Sequence, residues 1–255
     1  MSKYETLKKL FETHSNPERA ISMSKYMKDQ FSFYGIAAVD RKNLYKDFLK
    51  NEKKQDSIDW KFIEQCYADN HREFQYLVYD YLLAMKKQLS FEDISLVKDL
   101  VMKKSWWDTV DFLAQVVGNI ALEDSRVDEC MLAWSQEENI WVRRVSILYQ
   151  LRFKEKTNTT QLEQILLNCL GTNEFFINKA IGWALREYSK TNPDWVRTFL
   201  ENHQAQMANL SIREASKYLS QIFNKKEIKW TLLLKLQTRN LTIGYAESSL
   251  IIKKY

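Results

Sequence analysis

The stretch Glu92 to Leu122, EDISLVKDLVMKKSWWDTVDFLAQVVGNIAL, decides the fold. It reads as two helices, Glu92 to Lys103 and Ser105 to Leu122, joined by a short turn of the kind that connects antiparallel neighbours. Ser105 and Asp108 form a Ser-x-x-Asp signature, which places the start of the second helix at Ser105, directly after Lys103 and Lys104. Trp107 and Asp111 are then four residues apart and share one helix face.

The same beat continues on both sides. Helix pairs are expected at Ile58 to Ala68 with Arg72 to Lys87, at Asp124 to Gln136 with Ile140 to Lys154, and at Thr160 to Leu170 with Asn173 to Thr191. A unit of about forty residues suggests stacked helical hairpins that bury their inner faces against one another. Identity between the units is weak, so the expectation is a repeating architecture and not a clean repeat. Toward the N-terminus, Thr6 to His14 reads as a first amphipathic helix. Asn16-Pro17-Glu18-Arg19 supplies an N-cap, a proline at the first helical position and an acid in the first turn of a second, which carries Met23, Tyr26 and Met27. Phe31 to Ala38, with Gly35 at its centre, is expected as a loop, followed by a single helix from about Asp40 to Asn51. Toward the C-terminus, Asn192-Pro193 separates one helix from the next, Trp195 to Asn202, and Ser211 is expected to cap a helix running to about Ile222. Beyond Asn224 the apolar run Trp230 to Leu236 and the segment Asn240 to Ile252 fit no assigned element. The expected organisation is one domain over residues 1–224 and an extension over 225–255.

Two prolines and five glycines in 255 residues leave few helix breakers, which points to an all-α chain of roughly ten to twelve helices. A net charge of +5 permits binding to a polyanion without requiring it. Cys66, Cys130 and Cys169 are far apart and odd in number, so reduced thiols are expected in place of disulfides or a zinc knuckle. There is no H-E-x-x-H, no Gly-rich phosphate loop and no G-x-S-x-G, and the three histidines are scattered at 14, 71 and 203; neither a metal nor a cofactor is expected. Met1-Ser2-Lys3-Tyr4-Glu5 leads straight into an amphipathic pattern, so neither a signal peptide nor a membrane span is expected, and the location is cytoplasmic.

Three segments carry residues suited to chemistry. Trp107 beside Asp111 can form a binding or catalytic surface, although tryptophan is commonly core and helical aspartate commonly solvated. In Asn173 to Tyr188, Phe175, Phe176 and Trp183 are core candidates, and Gly182 inside a helix costs about 1 kcal/mol relative to alanine, which close backbone packing would explain. In Asn139-Ile140-Trp141-Val142-Arg143-Arg144, Arg144 can clamp a phosphate through its planar fork or sit in a surface ion pair.

Together these segments resemble the AlkD family of HEAT-like-repeat alkylpurine DNA glycosylases. The resemblance rests on Lys104-Ser105-Trp106-Trp107-Asp108-x-Val110-Asp111, on Asn139-Ile140-Trp141-x-x-Arg144, and on Phe175-Phe176-Ile177-x-Lys179-Ala180-Ile181-Gly182-Trp183-x-Leu185-Arg186-Glu187-Tyr188. Asn16-Pro17-Glu18, Tyr26-Met27-Lys28 and Leu210-Ser211-x-Arg213-Glu214-Ala215 extend it over roughly residues 5 to 222.

The resemblance implies a right-handed superhelical solenoid of HEAT-like antiparallel helix pairs whose concave, positively lined face cradles duplex DNA. It implies excision of cationic N3- or N7-alkylated purines, such as 3-methyladenine and 7-methylguanine, without base flipping, in contrast to the general scheme. Asp111, Trp107 and Trp183 would surround the lesion's deoxyribose as the catalytic set. Arg144 would support the DNA backbone, with Tyr26, Lys28, Lys104, Lys179, Phe175 and Phe176 as further DNA contacts. The second N-terminal helix, missing from relatives that do not excise bases, is retained at Asn16 to Gln30. The partner would be double-stranded DNA, bound by a monomer that joins the nucleoid when on DNA and has no membrane role. A non-catalytic binder of branched or distorted DNA, or a protein-interaction solenoid, are the competing readings.

Overall fold

With so few residues to interrupt it, the chain forms helix after helix. The computed structural model describes residues 1–219, and among them are fourteen α-helices and no strand; Ser32 and His71 form an isolated bridge. The helices are α1 (Lys3–Thr13), α2 (Pro17–Tyr26), α3 (Ala38–Leu44), α4 (Lys46–Glu52), α5 (Trp60–Ala68), α6 (Arg72–Ala84), α7 (Ile94–Met102), α8 (Trp107–Ala121), α9 (Arg126–Trp134), α10 (Ile140–Leu148), α11 (Thr159–Cys169), α12 (Phe175–Tyr188), α13 (Pro193–His203) and α14 (209–219). None of them is long and apolar enough to cross a membrane.

From α5 onward the helices pair as expected, and the second helix of each pair packs on its counterparts. Thus α6 lies on α8, α8 on α10 and α10 on α12, with α9 and α11 touching behind them. The result is an all-helical repeat solenoid with one row of helices, α6, α8, α10, α12 and α14, carrying the cross-repeat contacts. Buried apolar side chains form a continuous cluster from Leu7 to Leu219, since each hairpin can cover its inner face only with its neighbours.

Local signals place several helix starts where the sequence does. The Asn16 side chain accepts from Arg19 N–H at 2.9 Å ahead of Pro17, and that of Asn192 accepts from Trp195 N–H at 3.0 Å ahead of Pro193. Gly35 has φ +83°, and a Cβ there would lie 2.1 Å from the Asn16 carbonyl oxygen. The 31–37 loop therefore presses against the start of α2 in a way only glycine permits. Gly182 faces α14, where a Cβ would meet Glu214 Cβ at 2.6 Å and the Ser211 carbonyl oxygen at 2.9 Å. Close helix packing is indeed why α12 carries it.

Other expectations need correction. The single helix expected over Asp40 to Asn51 is two, broken at Tyr45 (φ −110°, ψ 14°), whose ring is buried and whose hydroxyl donates to Asp80 at 2.6 Å. Ser105 does not cap α8. Its hydroxyl donates back to the Val101 carbonyl at 2.6 Å, while Trp106 occupies the cap position and Asp108 is held by Arg72. Ser211 lies inside α14, fully buried, and donates to the Asn178 carbonyl of α12 at 2.8 Å. The inner-row helices begin at 72, 107, 140, 175 and 209, a period of 33 to 35 residues and not about forty. Fourteen helices in place of ten to twelve follow partly from this tighter period and partly from the break at Tyr45. The end of the last helix near Ile222, the segments at Trp230 and Asn240, and the 224/225 boundary lie outside the described residues.

Where α12 meets α14, the carboxylate of Glu214, almost fully buried, is bound by Lys179 at 2.7 Å, Lys217 at 2.7 Å and Arg186 at 2.5 Å. The hydrogen bond from Lys179, followed by that from Lys217, draws its pKa down to about 2 from an ordinary 4.5. A carboxyl depressed in the folded state stabilises it fully above the unfolded value, and the contribution disappears as pH falls through the folded one. Glu214→Gln should accordingly lower stability at neutral pH and flatten the loss of stability between about pH 4.5 and 2 in acid-unfolding curves. A Gln variant with the wild-type acid profile would show that the cluster contributes nothing.

Candidate active site

The site is built on the first two turns of α8, where two acids three residues apart meet different fates. Asp108 is buried and bound from α6. Arg72, itself fully buried, donates Nη2 to Asp108 Oδ1 at 2.6 Å and Nε to Oδ2 at 3.0 Å, and the Tyr76 hydroxyl donates to Oδ2 at 2.7 Å. Arg72 also donates to Thr109 Oγ1 at 2.9 Å and to the carbonyl of Lys104 at 2.7 Å. Lys104 takes a left-handed backbone (φ 47°), which strains a non-glycine residue, so Arg72 secures the turn that aims α8. The guanidinium also lies 3.7 Å from the centroid of the Phe31 ring, in the loop after α2. The next residue, Glu73, accepts from the backbone N–H groups of Tyr34 at 3.0 Å, Gly35 at 2.9 Å and Ile36 at 3.2 Å. Two consecutive residues of α6 thus grip α8 and the loop that carries α2.

Asp111 is bound from the other flank. Arg144 on α10, only 3 % exposed, donates Nε to Asp111 Oδ1 at 2.6 Å and Nη2 to Oδ2 at 2.9 Å, while Nη1 donates to the Phe176 carbonyl at the start of α12. Burial raises the Asp111 pKa above its ordinary value; Arg144 opposes that rise and the Asp108 charge adds to it. An ionised carboxylate has about four acceptor sites, so a two-pronged arginine leaves part of it open.

That open part faces a cleft of about 400 Å³ whose walls include Trp107, Trp183, Tyr76, Arg41, Met23 and Met27. Asp111, Phe112 and Trp183 also line a second cleft of about 380 Å³ farther along α8. The three residues singled out as catalytic, Asp111, Trp107 and Trp183, therefore meet at one opening although they span two helices and 76 residues of sequence. Tyr26 at the end of α2, 69 % exposed, approaches Trp107 edge-on at 6.1 Å. Lys28 is exposed in the turn that follows α2, with φ 59°.

The remaining expected contacts fall into two groups. Phe175 is exposed, but Phe176 packs against Trp106 at 5.2 Å and Trp141 at 4.9 Å. Lys104 reaches back to the backbone carbonyls of Ala68 and Asp69, and Lys179 is tied to Glu214. Of the two roles open to Arg144, phosphate clamp or surface ion pair, the structure shows an ion pair, with Asp111, and it is buried. Arg72, Tyr76 and Asp108 were missed as a group, as were Arg41 and the methionines as cleft walls. Their partners lie 32 to 37 residues away, so no local spacing announces them.

Comparison with known proteins identifies the family and the fold. The model of the DNA alkylation repair enzyme family matches residues 7–219. A predicted DNA alkylation repair enzyme from Enterococcus faecalis is 40% identical, with a TM-score of 0.75, over 80% of this chain and 96% of that one. The crystal structure of smu.31 from Streptococcus mutans UA159 shares the fold, at 20% identity and a TM-score of 0.51, over 70% of this chain and 96% of that one. Comparison with curated proteins gave no match. The chain belongs to the DNA alkylation repair enzyme family, and its role is enzymatic repair of alkylated DNA.

The Arg72 network has a direct energetic consequence. Arg72→Met should destabilise the protein by about 3–5 kcal/mol in denaturant unfolding, because Asp108 is left charged and buried. Arg72→Met with Asp108→Leu should recover part of that loss, since an apolar replacement leaves no unpaired charge. If the double variant is as unstable as the sum of the singles, the two residues do not act as a pair.

Proposed function

We propose that this member of the DNA alkylation repair enzyme family is a monofunctional glycosylase that hydrolyses the N-glycosidic bond of cationic N3- or N7-alkylated purines in duplex DNA, without base flipping. The observation that carries this reading is the Asp111 carboxylate, held by Arg144 and left partly open to a cleft lined by Trp107 and Trp183.

A purine alkylated at N3 or N7 already bears a positive charge and departs as a neutral base. It needs no general acid, and the cleft supplies none at Asp108, whose carboxylate is bound by Arg72 and Tyr76. The demand that remains is the positive charge growing at C1′ of the sugar. Asp111 meets it electrostatically and orients the attacking water, with the proton of that water passing to the carboxylate or to solvent as the C1′–O bond forms. Burial makes such a charge more effective than it is in water. Trp107 and Trp183 offer indole faces to the deoxyribose and to the neighbouring cation. The cleft is open to solvent along one side, which suits a lesion approached without leaving the stack.

Selectivity follows from the same charges. Neutral lesions, which would need protonation to leave, are expected to be poor substrates. Asp111→Asn leaves the buried Arg144 guanidinium without its counter-charge and should lower stability; at a temperature where the variant is folded, it should bind duplex as the wild type does and slow single-turnover release of 7-methylguanine by about a hundredfold or more. Trp183→Ala or Trp107→Ala should slow excision by about tenfold, more than either weakens binding to undamaged duplex. Release by Asp111→Asn at the wild-type rate would remove Asp111 from the chemistry.

The role of Arg144 is tested by pH. The working form of Asp111 is the carboxylate, so excision is full above its pKa and falls as pH drops through it. Burial raises that pKa, which sets the acid limb above the ordinary aspartate range. Arg144→Lys keeps a positive charge but loses the fork, so the limb should move to higher pH and activity should recover at alkaline pH. A lower rate with an unmoved limb would mean that Arg144 acts elsewhere, for example on the DNA.

A further inference from the structure

A DNA-repair reading needs cations to hold phosphates, yet Arg144, Lys104 and Lys179 are already engaged by acceptors of the protein itself. One group of exposed cations lies elsewhere. Between α3–α4 and α6 runs a groove of about 440 Å³ with Lys42, Lys46, Lys50 and Lys53 along one wall. On α4, Lys46 and Lys50 are one turn apart and share a face, Lys53 follows at its end, and Lys42 joins them from α3 across the break at Tyr45. All four are exposed. Lys42 is paired with Asp80 at 3.2 Å, whereas no ion pair among the described residues involves Lys46, Lys50 or Lys53. The floor is apolar, with Leu49 and Leu83 among its residues.

The groove begins where the active-site cleft ends. On α3, Arg41 lines the cleft and Lys42, the next residue, lines the groove; on α6, Tyr76 lines the cleft and Asp80, one turn on, lines the groove. The junction is rigid. Arg41 lies 4.6 Å from the Tyr76 ring centroid and donates to Tyr45 Oη at 3.2 Å, and Tyr45 in turn donates to Asp80.

We propose that this lysine groove is a phosphate track that grips the duplex on one side of the lesion. The inference rests on the DNA-glycosylase reading and adds the residues and the side. A linear polyanion suits the site better than a small anion. Lys46 to Lys53 spans seven residues, about 10 Å of helix, which matches about three successive phosphates of one strand at 3.4 Å of axial advance each. The apolar floor lies beneath the lysine stems, so the ammonium heads stand clear at the rim.

The test uses a duplex with long arms on both sides of a single 7-methylguanine, titrated with the full chain over a series of salt concentrations. Lys46→Gln/Lys50→Gln/Lys53→Gln should fold as the wild type does, because none of the three has a partner to lose. It should reduce the slope of log affinity against log salt by about two to three, while single-turnover excision at saturating enzyme stays the same. Shortening one arm of the duplex should abolish the difference between wild type and variant, and shortening the other should preserve it. An unchanged slope overturns the proposal, and so does a difference that survives both truncations, since the lysines would then act only as a diffuse field. If the wild-type chain itself shows no salt-dependent affinity for any duplex, the DNA reading fails first and takes the track with it.

Discussion

A carboxylate that is taken out of water must be paired, and the pairing of Asp111 with Arg144 is the constraint around which the rest is arranged. Leaving such a charge alone would cost several kcal/mol, so α10 must lie against α8 in a register that brings both prongs of the guanidinium to both oxygens. The third contact, from Arg144 to the Phe176 carbonyl, draws the start of α12 into the same arrangement and brings Trp183, two turns farther on, to the cleft. On the other flank Arg72 does the equivalent for Asp108, and through Glu73 it extends the hold to the loop behind α2. Helix α8 is thus located by arginines from both neighbours, which is why the chemistry sits there.

The solenoid explains how residues so far apart come to act together. The fifth residue of each inner-row helix is Tyr76, Asp111, Arg144 and Lys179, with Arg213 at the equivalent place in α14. Stacking sets equivalent positions side by side, so one repeat of sequence distance becomes one helix diameter in space. A row built in this way can alternate acceptor and donor, as Asp111 and Arg144 do, while the apolar positions of the same helices form the core. The architecture supplies the adjacency and the side chains supply the chemistry.

How much of this was legible in the sequence depends on the range of each interaction. Helix starts set by a neighbouring asparagine and proline, as at Asn16-Pro17 and Asn192-Pro193, were legible because cap and helix are adjacent. The meeting of Trp107 with Asp111 was legible for the same reason. Ser105 misled because the signature it forms with Asp108 is also local, yet Asp108 has a stronger claim from a buried arginine 36 residues away, and Ser105 turns back to close α7. Ser211 misled in a similar way, since its hydroxyl serves a carbonyl of α12 inside a helix–helix contact. The break at Tyr45 was hidden because its cause is a hydrogen bond to Asp80, 35 residues on. For Arg144 a phosphate and an ion pair were both open, and its carboxylate partner, Asp111, could not be read because it lies 33 residues away.

The two acids of α8 show why the Arg144 pairing matters for function. Had Arg144 faced DNA, Asp111 would have been a buried carboxyl with no counter-charge, prone to protonate and therefore unable to stabilise a cation. With Arg144 paired to it, the carboxylate has its counter-charge in a largely buried site, and cations that the fold does not need are free for the phosphates of the proposed duplex. Exposure separates the two classes of cation: Arg72 and Arg144 are almost wholly buried, whereas the lysines of α3 and α4 are open to solvent. Arginine suits the first class because its planar fork meets a carboxylate with two hydrogen bonds, and lysine suits the second because a mobile point charge can follow a phosphate chain of any sequence. The use of each residue type where its geometry serves lets the inner row shape the cleft while α3 and α4, packed beside α6, carry the proposed sequence-indifferent track.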